Sequence, residues 1–168
     1  MSLERLWAGW RVDYVASASL DTGADGDDGC VLCRLVAATD DAAALVLERA
    51  PATITVMNLY PYGSGHLMVA PTRHVADLDA LTDDETVAVA YAQQRAIRAL
   101  RAVYAPDGLN VGANLGRAAG AGVPGHLHIH VLPRWSGDTN FMTSIAETRV
   151  MPESLRVGYD KLRAAWSR

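Results

Sequence analysis

The chain has 168 residues, half of them hydrophobic, which suffices for one domain with a substantial core, and residues 1–168 are read as a single domain. A formal net charge of -4 and a pI near 5.7 exclude a broad basic surface for nucleic acid, so any phosphate site must be local. No run approaches the roughly 18 consecutive apolar residues that span a bilayer, and the start, MSLERLWAGW, has neither a basic leader nor an apolar signal core. The expectation is a cytoplasmic chain with no membrane partner.

Residues 5–15, RLWAGWRVDYV, carry two tryptophans and are expected to pack an N-terminal segment against the body. Residues 17–29 read as a flexible acidic loop. It leads into CVLC, which holds the only two cysteines, Cys30 and Cys33. A reducing cytosol disfavours a persistent disulfide and leaves a metal half-site, a redox pair or chance spacing. A redox pair of this spacing belongs between the strand and helix of a βαβ unit, and the preceding acidic loop does not supply that strand. A metal half-site is favoured, provided two further nitrogen or sulfur donors exist.

Three strand-like runs follow, at 43–49, 52–59 and 65–74, the last two joined through YPYGSG, whose proline and glycines mark the turn of an antiparallel hairpin. Residues 81–105 have apolar positions at helical spacing, and Thr82 with Glu85 three residues later forms a capping box. Pro106 and Gly108 end that helix, a strand resumes over 108–116, and RAAGAGVPG turns the chain into GHLHIHVLPRW. PRWSGDTNF is then a loop, and 151–167 a C-terminal helix. This order predicts an α+β fold: an antiparallel sheet with its helices on one face.

GHLHIHVLPRW places three of the five histidines, His126, His128 and His130, at alternate positions. Period two is strand periodicity, so the histidines share one face while Leu127, Ile129 and Val131 share the other, facing the helices. Neighbours on the histidine face lie roughly 6–7 Å apart, close enough to serve one small site. Three imidazoles that titrate near neutrality would repel one another if charged. Metal, hydrogen bonds or an anionic ligand must hold them in chosen tautomers.

The run His126-Leu127-His128-Ile129-His130-Val131-Leu132 resembles the signature of the histidine triad (HIT) superfamily. NLYPYGSGHLMVAPTRHV, GLNVGANLGRAAGAG and PRWSGDTNF extend the similarity toward bacterial members concerned with diadenosine polyphosphate turnover, over most of residues 3–165. The resemblance implies a nucleotide-binding α+β fold with an antiparallel half-barrel sheet, one long helix, a C-terminal helix and a two-fold homodimer. It makes His128 the nucleophile, with His130 beside it as a phosphate contact. Asn114 would bond a phosphate oxygen or orient the site, Asn58 would recognise ribose hydroxyls, and His66 would stand next to the triad. The 116–122 loop, with Gly120 and Gly122, suits a phosphate cradle, because glycine lets backbone N–H groups approach an anion.

Zinc-containing relatives use two cysteines, a histidine after a PxR motif and the first triad histidine. By that likeness Cys30, Cys33, His74 and His126 form a closed Cys2His2 site for structural Zn2+. The implied activity is cleavage of diadenosine tetraphosphate or a related adenylated compound at the α-phosphate, through a nucleotidyl-His128 resolved by water or by inorganic phosphate. Many relatives carry glutamine or a hydroxyl residue where this chain has Gly122 and Val123, which leaves the co-substrate open. An adenosine phosphoramidase and a non-catalytic nucleotide-binding module are the alternatives, since fold does not choose between activities.

Overall fold

The structure, a computed structural model, describes residues 29–138 and 152–166. The expected N-terminal tryptophan segment and nearly all of the acidic loop lie outside these residues. A short helix α1 (Val31–Ala37) precedes strands β1 (Val46–Arg49), β2 (Thr53–Met57) and β3 (Leu67–Pro71). Helix α2 (Asp83–Tyr104), strands β4 (Gly108–Ala113) and β5 (Ile129–Arg134), and helix α3 (Leu155–Trp166) complete the order. The five strands form one antiparallel sheet in the order β1-β2-β3-β5-β4. This is the α+β architecture expected.

The predicted hairpin is present: β2 pairs with β3 from Thr53↔Pro71 to Met57↔Leu67. The capping box is present too. Glu85 N–H donates to Thr82 Oγ1 at 3.2 Å, and Thr82 N–H donates to Glu85 Oε2 at 2.9 Å, satisfying two donors that the first helical turn leaves free. Helix α2 stops at Ala105, whose left-handed conformation (φ 42°) turns the chain before Pro106. Val89, Ala92, Ala96, Ala99 and Leu100 are its buried positions, three to four residues apart, and they pack on Leu67, Val69, Ile129 and Val131 of the sheet. Tyr159 and Leu162 of α3 join the same core. The Tyr159 hydroxyl and the Arg163 guanidinium also donate to the Val46 and Leu47 carbonyls of β1 at 3.1 and 2.9 Å.

Three expectations need adjustment. Not every helix lies on one face: α1 packs on the opposite side, where Leu32 joins Val46, Ile54, Val56 and Ala70 in a second apolar cluster. Strand β3 ends at Pro71 rather than His74, because Thr72 N–H turns to the Ala52 carbonyl and the Arg73 guanidinium reaches Glu85 and the Ala80 carbonyl. The Arg73 bonds, with the Thr82 N–H, hold the Glu85 carboxyl at about 2, so the chain carrying His74 is tied to the start of α2. The C-terminal helix begins at Leu155, with residues 152–154 outside it.

The close approach of the hairpin turn to α2 yields a first prediction. Gly65 has φ +71°, and a Cβ there would stand 2.8 Å from a Tyr104 ring carbon, 3.0 Å from Leu100 and 3.2 Å from Pro133. Strain and overlap together make Gly65→Ala destabilising by about 2–4 kcal/mol. A thermal melt reads this as a fall of roughly 5–15 °C. An unchanged melting temperature would mean the turn has room that this packing denies.

Candidate active site and adjoining metal centre

Regular pairing of β5 begins at Ile129, opposite Ala113 and Val69. His126 and His128 therefore precede the ladder, and His130 lies within it, opposite Met68 and Gly112. Ile129 and Val131 face the α2 core as expected. His126 is fully buried and His128 nearly so, at 0% and 6% exposure, which forces every polar ring atom to find a partner or a ligand.

Each histidine has a tautomer set by its neighbours. His66, also 0% exposed, accepts the Tyr62 backbone N–H at its Nδ1 (3.0 Å), so its proton resides on Nε2. That Nε2–H donates to His130 Nδ1 at 2.9 Å, which places the His130 proton on Nε2. His128 Nδ1–H donates to the His126 carbonyl at 2.8 Å, leaving Nε2 as a bare lone pair with no partner among the described residues. The pair is thus differentiated: His128 offers an electron pair, His130 an N–H donor. Their ring centroids are 5.1 Å apart. Burial, and then the neighbouring His128, push the His130 imidazole down to about 4, so it stays a neutral donor near neutrality.

The depression of His130 makes the fold acid-sensitive. Between its ordinary value of 6.5 and about 4, the unfolded chain binds a proton that the native site refuses, so stability falls as pH falls through this window. Melting temperatures over the same range should decline less steeply in His130→Gln than in the parent. Identical slopes would remove His130 as the cause.

Asn114 follows Ala113, whose register partner is Ile129, and so continues β4 toward His128. Its Nδ2 donates to the Gly120 carbonyl at 3.4 Å, bracing the loop that returns to the histidines. Gly120 takes a left-handed conformation there (φ 91°), and Gly122 follows on the same half-buried loop. Asn58 lies at the far side, where its Oδ1 accepts Tyr60 N–H (3.0 Å) and its Nδ2 is 3.3 Å from His66 Nδ1. The fold thus joins Asn58 to His66 and His130, and Asn114 to the glycine loop. Sequence reasoning missed Tyr62, whose N–H sets the His66 tautomer and whose ring packs on His66 and His130 at 4.7 and 5.7 Å. Its four-residue spacing from His66 within YPYGSGH was the available signal.

The other predicted cluster also assembles. The ligand atoms of Cys30, Cys33, His74 and His126 all lie within 4.8 Å of one another. His126 Nδ1 is 3.3 and 3.4 Å from the two sulfurs, and His74 Nδ1 is 3.2 Å from Cys33 Sγ. A tetrahedron with metal–sulfur bonds of about 2.3 Å and metal–nitrogen bonds of about 2.1 Å has sulfur–nitrogen edges of about 3.5 Å. The four donors fit that shape. His126 Nε2–H donates to the Pro71 carbonyl at 2.9 Å, which frees Nδ1 to bind metal and fixes the ring.

A family model described as the HIT domain matches residues 38–137. The chain belongs to the HIT family. This HIT chain is 40% identical to the AP-4-A phosphorylase of Mycobacterium tuberculosis strain H37Rv over 168 residues, 99% of this chain and 86% of that protein. Among solved structures, it resembles a zinc-bound histidine triad family protein from Mycobacterium smegmatis with TM-score 0.68 and 29% identity, covering 84% of this chain and 96% of that one. A Hit-like protein from Bartonella henselae shares the fold with TM-score 0.66 at 23% identity, covering 81% and 95% of the two chains. No helix among the described residues of this HIT chain is long and apolar enough to cross a membrane.

Proposed function

We propose that this chain is a nucleotidyl-transfer enzyme that cleaves diadenosine tetraphosphate or a close analogue by phosphorolysis. The observation that carries the reading is the opposed tautomers of His128 and His130. His128 Nε2 attacks the α-phosphorus, forming an N–P bond as the P–O bond to ATP breaks, and inorganic phosphate then attacks the adenylyl-His128 to release ADP. The His126 carbonyl, held on Nδ1–H, stabilises the positive charge that the ring gains on attack. His130 Nε2–H donates to a phosphate oxygen, Asn114 and the glycine loop with Gly120 and Gly122 offer further N–H donors, and Asn58 bonds the ribose. The 40% identity to an AP-4-A phosphorylase favours phosphate over water as the second nucleophile.

Zinc is the proposed occupant of Cys30, Cys33, His74 and His126, supported by the donor geometry and by the zinc-bound structural relative. When bound it supplies structural cross-linking, since four protein donors leave no open position for Lewis-acid chemistry. A homodimer is also proposed. Among the described residues, strand β4 is a sheet edge with no charge or proline to blunt it, and Val111 is 44% exposed. Light scattering should give a two-chain mass.

Product analysis after incubation with diadenosine tetraphosphate tests the activity. ADP plus ATP, formed only when phosphate is present, is the expected result. AMP plus ATP without phosphate would make the enzyme a hydrolase. Binding without turnover in either condition would overturn the catalytic reading in favour of a nucleotide-binding module.

A further inference from the structure

The loop that follows β4 is held on the histidine face of the sheet. Strand β4 sets Gly112 opposite His130 and Ala113 opposite Ile129, and Ala113 packs with Ile129 on the α2 core. By strand alternation Asn114 returns to the face of His130, where its Nδ2 donates to the Gly120 carbonyl at 3.4 Å. The loop also closes on itself. Ala119 and Ala121 N–H both donate to the Gly116 carbonyl at 3.3 Å, and Gly120 N–H donates to the Arg117 carbonyl at 2.9 Å. Positive φ angles at Gly116 and Gly120, 75° and 91°, permit that turn. Arg117 is thus carried on a braced rim, three residues past Asn114.

Arg117 is exposed, and its guanidinium has no hydrogen-bond or ion-pair partner among the described residues. Other cations are committed or face elsewhere. Arg134, on β5 itself, is bound to Asp138, and Arg73, beside His74, to Glu85. Arg98 and Arg101 stand on α2, which covers the opposite face of the sheet. The groups assembled around His128 are meanwhile amides, imidazoles and backbone N–H groups, and burial keeps His130 neutral by holding it down to about 4. A dinucleoside tetraphosphate carries several negative charges, and more charge gathers on the bridging oxygen as the leaving nucleotide departs. Neutral donors alone would leave that charge uncompensated.

We infer that Arg117 binds the phosphates beyond the α-phosphate and thereby selects polyphosphate leaving groups. It is a specificity-determining residue, because a guanidinium matches two phosphate oxygens at once and stays charged at any working pH. The inference rests on the proposed attack at the α-phosphate and adds the reason why the group displaced should be a nucleotide polyphosphate. As His128 Nε2 forms its bond to phosphorus, the electron pair of the breaking P–O bond passes to the departing phosphate oxygen, and Arg117 compensates the charge that arrives there.

Two adenylated substrates that differ only in the leaving group test this: diadenosine tetraphosphate and the p-nitrophenyl ester of AMP. Both pass through adenylyl-His128 and are resolved by the same inorganic phosphate. In Arg117→Gln, kcat/KM for diadenosine tetraphosphate should fall about 10–100-fold, while that for the ester stays within about twofold. Arg117→Lys should recover part of the loss, since it restores the charge without the fork. The melting temperature should be unchanged, because the side chain is exposed. Calorimetry makes the same comparison without turnover: Arg117→Gln should weaken ATP about tenfold or more and AMP hardly at all. Equal losses on both substrates would make Arg117 a general support of the loop, and no loss on either would leave the distal phosphates to other groups; each result would overturn the inference. A parent that cleaved neither substrate would count against the catalytic reading, and the contrast between ATP and AMP would still decide the role of Arg117.

Discussion

His128→Ala should abolish phosphorolysis of diadenosine tetraphosphate, lowering kcat on the order of 10⁴-fold or more while leaving nucleotide affinity within a few-fold of the parent. Truncation removes the ring whose Nε2 is left without a partner among the described residues and which is the proposed nucleophile. His126 offers its nitrogens to the sulfurs and the Pro71 carbonyl, and His130 carries its proton on Nε2, so neither substitutes as nucleophile. Binding should survive, because the proposed contacts of Asn114, the glycine loop, His130 and Asn58 remain, and the histidine cluster still takes its shape from His66 and Tyr62. Rapid-quench measurement with labelled substrate checks the intermediate: the parent should accumulate adenylyl-protein when phosphate is withheld, and the variant should not. A variant that turned over at a tenth of the parental rate would place the covalent chemistry elsewhere.

The proposed role of His128 as nucleophile was legible as a resemblance, whereas the tautomer that suits it to that role was not. The alternation of His126, His128 and His130 announces a shared face, yet their tautomers depend on partners distant in sequence. His130 takes its proton state from His66, 64 residues earlier, and His66 takes its own from the Tyr62 N–H. No local pattern encodes a hydrogen bond of that span. The β2–β3 hairpin and the start of α2 were readable because their signals are local: a proline–glycine turn between apolar runs, and Thr82 three residues before Glu85.

Helix α1 was not readable, for the complementary reason. It has seven residues, no acidic first turn and no side-chain cap at Cys30, and helices so short do not stand alone in water. It forms because Leu32 is buried against the sheet and because Arg49 donates to the Leu35 and Val36 carbonyls at 3.0 and 2.8 Å. The end of β3 was displaced by similar tertiary pulls, those of Ala52 on Thr72 and of Glu85 on Arg73. The CVLC spacing suggested half a metal site, but its other half lies 41 and 96 residues further along. Only the family resemblance joined them.

Cys30→Ser should bring metal content below one ion per chain and destabilise the fold by about 3 kcal/mol or more. For a domain of this size that is a fall in melting temperature of roughly 6–12 °C. Cys30 is 8% exposed and sits at the N-terminus of α1, so a metal held by its sulfur would anchor the helix least able to hold itself. Replacing it by serine removes a soft donor, leaves a buried hydroxyl near His126 Nδ1, and releases α1 from the 71–75 and 123–126 segments that the cluster gathers. Elemental analysis and a thermal melt, each with and without added zinc, measure the two effects. Excess zinc should raise the parent's melting temperature after chelation and raise that of Cys30→Ser much less, because ligand binding stabilises only a site that exists in the native state. Stoichiometric metal in Cys30→Ser, melting as the parent does, would show that the ion is held elsewhere. If α1 were held by its apolar contacts alone, the variant would lose metal and keep its melting temperature. The seven-residue length and bare N-terminus of α1 argue against that, since burying Leu32 is worth only about 2 kcal/mol and must also offset the entropy of ordering the helix.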